Sequence, residues 1–180
     1  MTGFVLVTGH PSLDLCNTHA GGVERLTRPG DLSEWLVAAG LARRRPDVTG
    51  EELEAVVRMR AALRAAFLVG DRAAVAESVA GLLDRARGRL SVDCGTLDWR
   101  FIPEGLTAAC ALVPVALDAL CIARDAVDRV RECAADSCDV VYLDTSRNRS
   151  RRWCSMERCG ARAKASAYYQ RHRGEHPPAA

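Results

Sequence analysis

The sequence predicts an α+β protein. A mainly helical N-terminal domain with one small β-hairpin spans residues 1–131. A compact C-terminal treble of two cysteine knuckles, a strand pair and a terminal helix spans 132–174, followed by a disordered tail at 175–180. Three observations carry this reading. Apolar residues recur at helical spacing behind N-cap signals through most of the first domain, β-rich runs flank Asp93-Cys94-Gly95-Thr96, and two Cys-x4-Cys pairs stand close together near the end. With 180 residues, 48% of them hydrophobic, the chain can bury one core plus a small satellite.

The elements follow in order. His10 to Thr18 reads as a short ordered element running into a loop at Gly21-Gly22. Asp31 is placed to cap a helix through Ala39, with Leu32, Trp35, Leu36 and Ala39 on one face and Gly40 as its stop. Thr49 and Glu52 have the spacing of a capping box for a longer helix in which Leu53, Val56, Val57, Arg60, Leu63, Phe67 and Leu68 alternate apolar and charged faces. Asp71 caps the next helix, expected to end near Gly88. Arg89–Asp93 and Leu97–Ile102 read as a hairpin, and a long helix is expected from Leu106 to Arg131, kinked or truly begun at Pro114. In the tail, Val140–Leu143 and Arg151–Trp153 read as two strands, and 157–173 as a helix with Gly160 near its start. One of Tyr168 and Tyr169 is expected to pack back on the strand pair.

Composition excludes several classes of function. The stretch from Leu106 to Val127 is broken by Pro114, Asp118, Arg124 and Asp125, so no run is apolar enough to cross a bilayer. The N-terminus lacks the basic and apolar regions of a secretory signal, which points to the cytoplasm. Net charge is −2 over residues 1–132 but +4 over 133–180, and Thr145 to Gly174 holds nine cations against one carboxylate, Glu157. That is a basic patch on an otherwise acidic protein.

The cysteines carry the strongest signal. Cys133-x4-Cys138 and Cys154-x4-Cys159 are separated by fifteen residues, the pattern of a zinc-ribbon-like module with four thiolate ligands. Two disulfides or an iron–sulfur cluster are the competing readings; nothing indicates the oxidising compartment that disulfides require. Four protein ligands would fill a zinc ion's shell, so the metal would be structural. Cys16, Cys110 and Cys121 read as small buried hydrophobes, and Cys94 as a turn residue.

These residues resemble the CGNR zinc-finger family through Cys133, Cys138, Tyr142-Leu143-Asp144-Thr145-Ser146-Arg147-Asn148, Arg151-Arg152-Trp153-Cys154-Ser155-Met156 and Cys159-Gly160-Ala161-Arg162, followed by Lys164, Tyr168 and Arg171. Ala161 stands where the family has Asn. The N-terminal part is similar to the ABATE domain that usually precedes this finger, through His10-Pro11, Leu13-Asp14-Leu15, Asn17-Thr18 and the Leu32/Trp35-Leu36/Gly40-Leu41 pattern. The resemblance implies a bacterial, stress-responsive transcription regulator that binds DNA through its finger.

Two classes of function compete on the residues. In the first, Arg147, Arg149, Arg151 and Arg152 on the inter-knuckle loop, with Arg162, Lys164, Arg171 and Arg173 on the terminal helix, grip duplex DNA at the nucleoid. His10, Asp14 and Asn17 would then line a small-molecule effector site in the N-terminal domain, with His19 beside them, and a homodimer would suit a palindromic operator. Alternatively Asp14 and Asn17 are structural, capping a helix or holding the glycine loop. In the second class the finger is an adaptor for RNA or an acidic protein. No catalytic constellation is visible, so an enzyme is not expected.

Overall fold

The computed structural model describes residues 3–96 and 98–172; the expected tail at 175–180 and Arg173 lie outside the described residues. Six helices and three two-stranded antiparallel sheets are described: α1 (Pro11–Cys16), β1 (His19–Ala20), β2 (Val23–Glu24), α2 (Pro29–Ala38), α3 (Gly50–Val69), α4 (Arg72–Leu83), β3 (Gly88–Asp93), β4 (Asp98–Pro103), α5 (Ala108–Asp125), β5 (Val130–Glu132), β6 (Val141–Leu143) and α6 (Ala161–His172). A 3-10 turn, Val127–Arg129, precedes β5, and a π turn, Met156–Gly160, precedes α6. No described helix is long and apolar enough to cross a membrane.

Local chemistry sets most helix ends where expected. Thr49 accepts from the Glu52 amide at 3.2 Å while Glu52 accepts from the Thr49 amide at 2.9 Å, closing the capping box of α3. Gly70, at φ 72°, ends that helix in the left-handed region, and Asp71 caps α4 by accepting from the Ala74 amide. Two boundaries differ from expectation, and at a third the start near Leu106 holds over the alternative at Pro114. Asp31 is not the cap of α2: the helix starts at Pro29, and Asp31 sits in its first turn, reaching back to accept from Thr27 and Arg28. α4 ends at Leu83, short of Gly88. Pro114 does not mark the start of α5, which Thr107 caps by accepting from the Cys110 amide; the proline sits inside the helix on its solvent side.

The larger correction is the end of α5, which stops at Asp125 and not at Arg131. Val127 and Val130 are both buried, and burying both while pairing Val130–Glu132 with Val141–Leu143 outweighs the modest helix propensity of the stretch. The partner of β6 is therefore β5, in the register Val130↔Leu143, Arg131↔Tyr142, Glu132↔Val141. Arg151–Trp153, expected as that partner, runs alongside without joining the ladder, held by the Ala134 amide donating to the Arg152 carbonyl at 2.9 Å.

Two cores result. The larger gathers α1 to α5 around the fully buried Leu13, Leu15, Trp35, Leu36, Leu63 and Leu112. The smaller contains Val140, Tyr142, Cys133, Cys154 and Cys159, completed by Val5 and Ala20 from the start of the chain. Strand β6 and the residue before it serve both, because successive side chains of an extended chain leave on opposite sides: Val141 enters the large core while Val140 and Tyr142 enter the small one. Asn17, wholly buried, fixes this junction with a two-bond clasp, its Nδ2 donating to the Val141 carbonyl at 2.9 Å and its Oδ1 accepting from the Val141 amide at 2.8 Å. Arg64 of α3 adds bonds of 2.6 Å to Glu132 and to the Asp139 carbonyl.

Candidate metal centre and cationic face

The first knuckle forms as the chain leaves β5. The Cys133 amide donates to the Val140 carbonyl and the Cys138 amide to the Ala135 carbonyl, both at 2.9 Å, folding the intervening residues into a turn. In the second knuckle the Cys159 and Gly160 amides both donate to the Ser155 carbonyl, and the Ser155 hydroxyl accepts from the Arg158 amide. Gly160 packs closely here: a Cβ at this position would come within 2.7 Å of the Met156 sulfur and push that side chain aside.

The four ligand sulfurs, Cys133, Cys138, Cys154 and Cys159, all lie within 4.8 Å of one another. Cys138 to Cys154 is 3.8 Å and Cys154 to Cys159 is 3.7 Å. A tetrahedron with Zn–S bonds of about 2.3 Å has edges of about 3.8 Å, so the cluster has the size of a Zn2+ shell. These sulfurs are free thiols, too far apart for the disulfide reading. Their electrostatics call for a cation. Burial and the neighbouring sulfurs push Cys154 well up, and burial takes Cys159 up to about 11. At Cys133 burial also acts upward, but backbone amides of Cys154 and Ala135 outweigh it and hold the thiol below its ordinary value. Four thiols this close cannot all ionise alone; a divalent ion makes the thiolate state the favoured one. The centre fits structural Zn2+, with every ligand position supplied by the chain and none left for substrate.

Around the centre, residues first read as nucleic-acid contacts divide. Arg151 turns inward: its Nε donates to the Trp153 carbonyl at 2.9 Å, a terminal nitrogen donates to the Cys154 carbonyl, and its guanidinium lies 4.6 Å from the centre of the Tyr142 ring. Arg151 thus braces the second knuckle. Arg149, at φ 51°, pairs with Asp128 at 2.5 Å. Arg147, Arg152, Arg162 and Lys164 are exposed, joined by Arg158, which the sequence reading left out of the face. Arg152 lies 5.6 Å from the Trp153 ring, whose own packing is against the small core. The side chain of Arg171 is outside the described residues. Neither tyrosine packs back: Tyr168 and Tyr169 are 53% and 71% exposed, meeting edge to face, with Tyr168 stacked on His172 at 4.1 Å.

Asp144 organises the loop between the knuckles, a role its motif position hid. Its carboxylate accepts from the Ser146 amide at 2.9 Å and the Arg151 amide at 3.1 Å. Burial opposes its charge, but the Ser146 hydroxyl and these amides prevail and hold the carboxyl below its usual range.

The side chains of the three expected effector residues do not converge on one site, although Thr8 bonds both the His10 backbone and the Asp14 carboxylate. His10 contacts Asp118 at 2.9 Å, Asp14 accepts from Val7 and Thr8, and Asn17 clasps Val141. Burial raises the Asp14 carboxyl against the Thr8 and Val7 bonds that lower it. His19 lies by a separate recess of about 330 Å³ with Arg60 and Arg64. A recess of about 720 Å³ opens elsewhere, between α3, α4 and the start of α5, floored by Val56, Met59, Leu82 and Leu112. Of the remaining cysteines, Cys16 is buried and its thiol pushed up to about 12 by that burial, Cys110 is buried and Cys94 is exposed. Cys121 is exposed on α5, against the buried role expected of it.

Comparison with known families agrees with this geometry. A CGNR zinc finger model matches residues 129–172, and the ABATE model, described as "Putative stress-induced transcription regulator", matches residues 9–133. No curated protein matches the chain. The two matches overlap at 129–133, the β5 segment that feeds Cys133. Neither description is that of an enzyme. Covering well over half of the sequence, the ABATE match places this chain in the ABATE family, with a CGNR zinc finger at its C-terminal end.

Proposed function

We propose that this protein regulates transcription at the nucleoid by docking its finger on duplex DNA, the N-terminal domain acting as the responsive part. One observation supports this most directly: Arg147, Arg152, Arg158, Arg162 and Lys164 are all exposed on a module stiffened by its metal centre and by the Arg151 brace, and Glu157 is the one carboxylate in the sequence from Thr145 to Gly174. Arginine forks pair with phosphate and with guanine edges. Most of these contacts would position the protein, and few would read bases. A small-molecule effector fits the 720 Å³ recess better than the His10, Asp14 and Asn17 trio, because His10 Nδ1, Asp14 Oδ1 and both amide atoms of Asn17 are already bonded within the protein.

The test is the salt dependence of duplex binding by the zinc-loaded chain. Neutralising about five phosphates gives a log–log slope of about −4.5. A slope near zero overturns the reading. Tighter binding to folded RNA than to any duplex in direct competition would favour the adaptor class.

A further inference from the structure

Among the described residues, none of the hairpin of β3 and β4 belongs to either core. α5 packs on the β4 side, and the outer edge of β3 pairs with no described strand. Leu90 and Val92 lie on one face of β3 and are 63% and 62% exposed, while Arg89, Ser91 and Asp93 share the other face. Proteins usually protect such an edge with like charges, proline or a covering element. Here the charges are of opposite sign and sit symmetrically about Ser91.

We propose that β3 is a homodimer interface, pairing antiparallel with β3 of a second copy about a two-fold axis at Ser91. This register sets Arg89 opposite Asp93 of the second copy, twice, and Leu90 opposite Val92, twice, building a four-stranded sheet β4–β3–β3–β4. The pattern is self-complementary in both charge and hydropathy, which is what an isologous contact requires. Arg89 has no other partner among the described residues. Asp93 uses Oδ1 to accept from the Gly95 and Thr96 amides, which leaves Oδ2 for an arginine. β4 is the poorer edge, since it is packed on α5 and ends in Pro103, which has no amide hydrogen to give. The occupant is thus a second copy of this chain, chosen by charge complementarity along the five residues from Arg89 to Asp93. The inference does not depend on DNA binding.

Sedimentation equilibrium of the zinc-loaded full chain, from submicromolar to submillimolar concentration, tests it. The wild type should reach twice the 19.5 kDa chain mass. Arg89→Asp should weaken the dimer about tenfold or more by facing two carboxylates across the axis, whereas Arg89→Lys should retain it. Asp93→Arg alone should also dissociate. An equimolar mixture of Arg89→Asp with Asp93→Arg should recover a dimer, because each variant then meets its opposite charge at both positions. A wild type that stays monomeric throughout, an Arg89→Asp dimer as tight as wild type, or a mixture no tighter than either variant alone overturns the proposal.

Discussion

The helical body and the finger solve the problem of staying folded in different ways. The body buries apolar side chains across five helices, with Leu13, Leu15, Trp35, Leu36, Leu63, Val75 and Leu112 all fully inaccessible. The finger has little more than Val140, Tyr142, Trp153 and its four sulfurs, with Val5 and Ala20 lent from the body's first residues. Burial alone cannot stabilise so small a core, whereas structural zinc contributes about 10 to 16 kcal/mol in small finger peptides. One part should therefore answer to cavities and the other to metal.

The largest expected effect tests the finger. Chelation, or Cys154→Ser, should release the ion and remove amide-exchange protection from residues 133–160 while α3 to α5 keep theirs, read by native mass spectrometry and hydrogen exchange. Loss of protection throughout the body would show that the division is false. The converse variant, Leu63→Ala, should lower body stability by about 2 to 5 kcal/mol in urea while one zinc per chain is retained. Next comes the seam. Asn17→Ala strands the buried Val141 amide and carbonyl, each a loss of about 1 to 3 kcal/mol, and should split one unfolding transition into two when body and finger are followed by separate probes. The smallest effect belongs to Asp31. Burial opposes its ionised form, but bonds from the Thr27 hydroxyl and the Arg28 and Thr27 amides outweigh it and hold its carboxyl below the usual range. Its contribution is present in full above the unfolded carboxyl's pKa and is lost as pH falls through the lower folded value. Asp31→Ala should cost about 1 kcal/mol near neutrality and flatten the acid limb of the stability profile.

What the sequence revealed was what local spacing encodes. The capping box at Thr49 and Glu52, the Asp71 cap, the hairpin around Asp93 to Thr96 and the two knuckles depend on neighbours a few residues apart. The misplaced end of α5 has a different origin. Val130 to Glu132 becomes a strand only because Val141 to Leu143 returns beside it after a knuckle, and no helical periodicity reports on that return. The same holds for Asn17, whose clasp reaches Val141 across more than a hundred residues, and for Arg151, which looked like one more surface cation until Tyr142 and the second knuckle gave it an inner partner. In the candidate site, ligand identity was readable while the direction of each arginine was not.

The two-faced strand has a practical corollary for anyone hoping to transplant this finger onto another scaffold. Cutting before Cys133 deprives the helices of Val141 and leaves the Asn17 amide with nothing to hold, and the excised piece departs without Val5 and Ala20. A successful graft has to carry the first two dozen residues along with the last fifty, because the border between the halves runs through the middle of a pleat and not through a hinge.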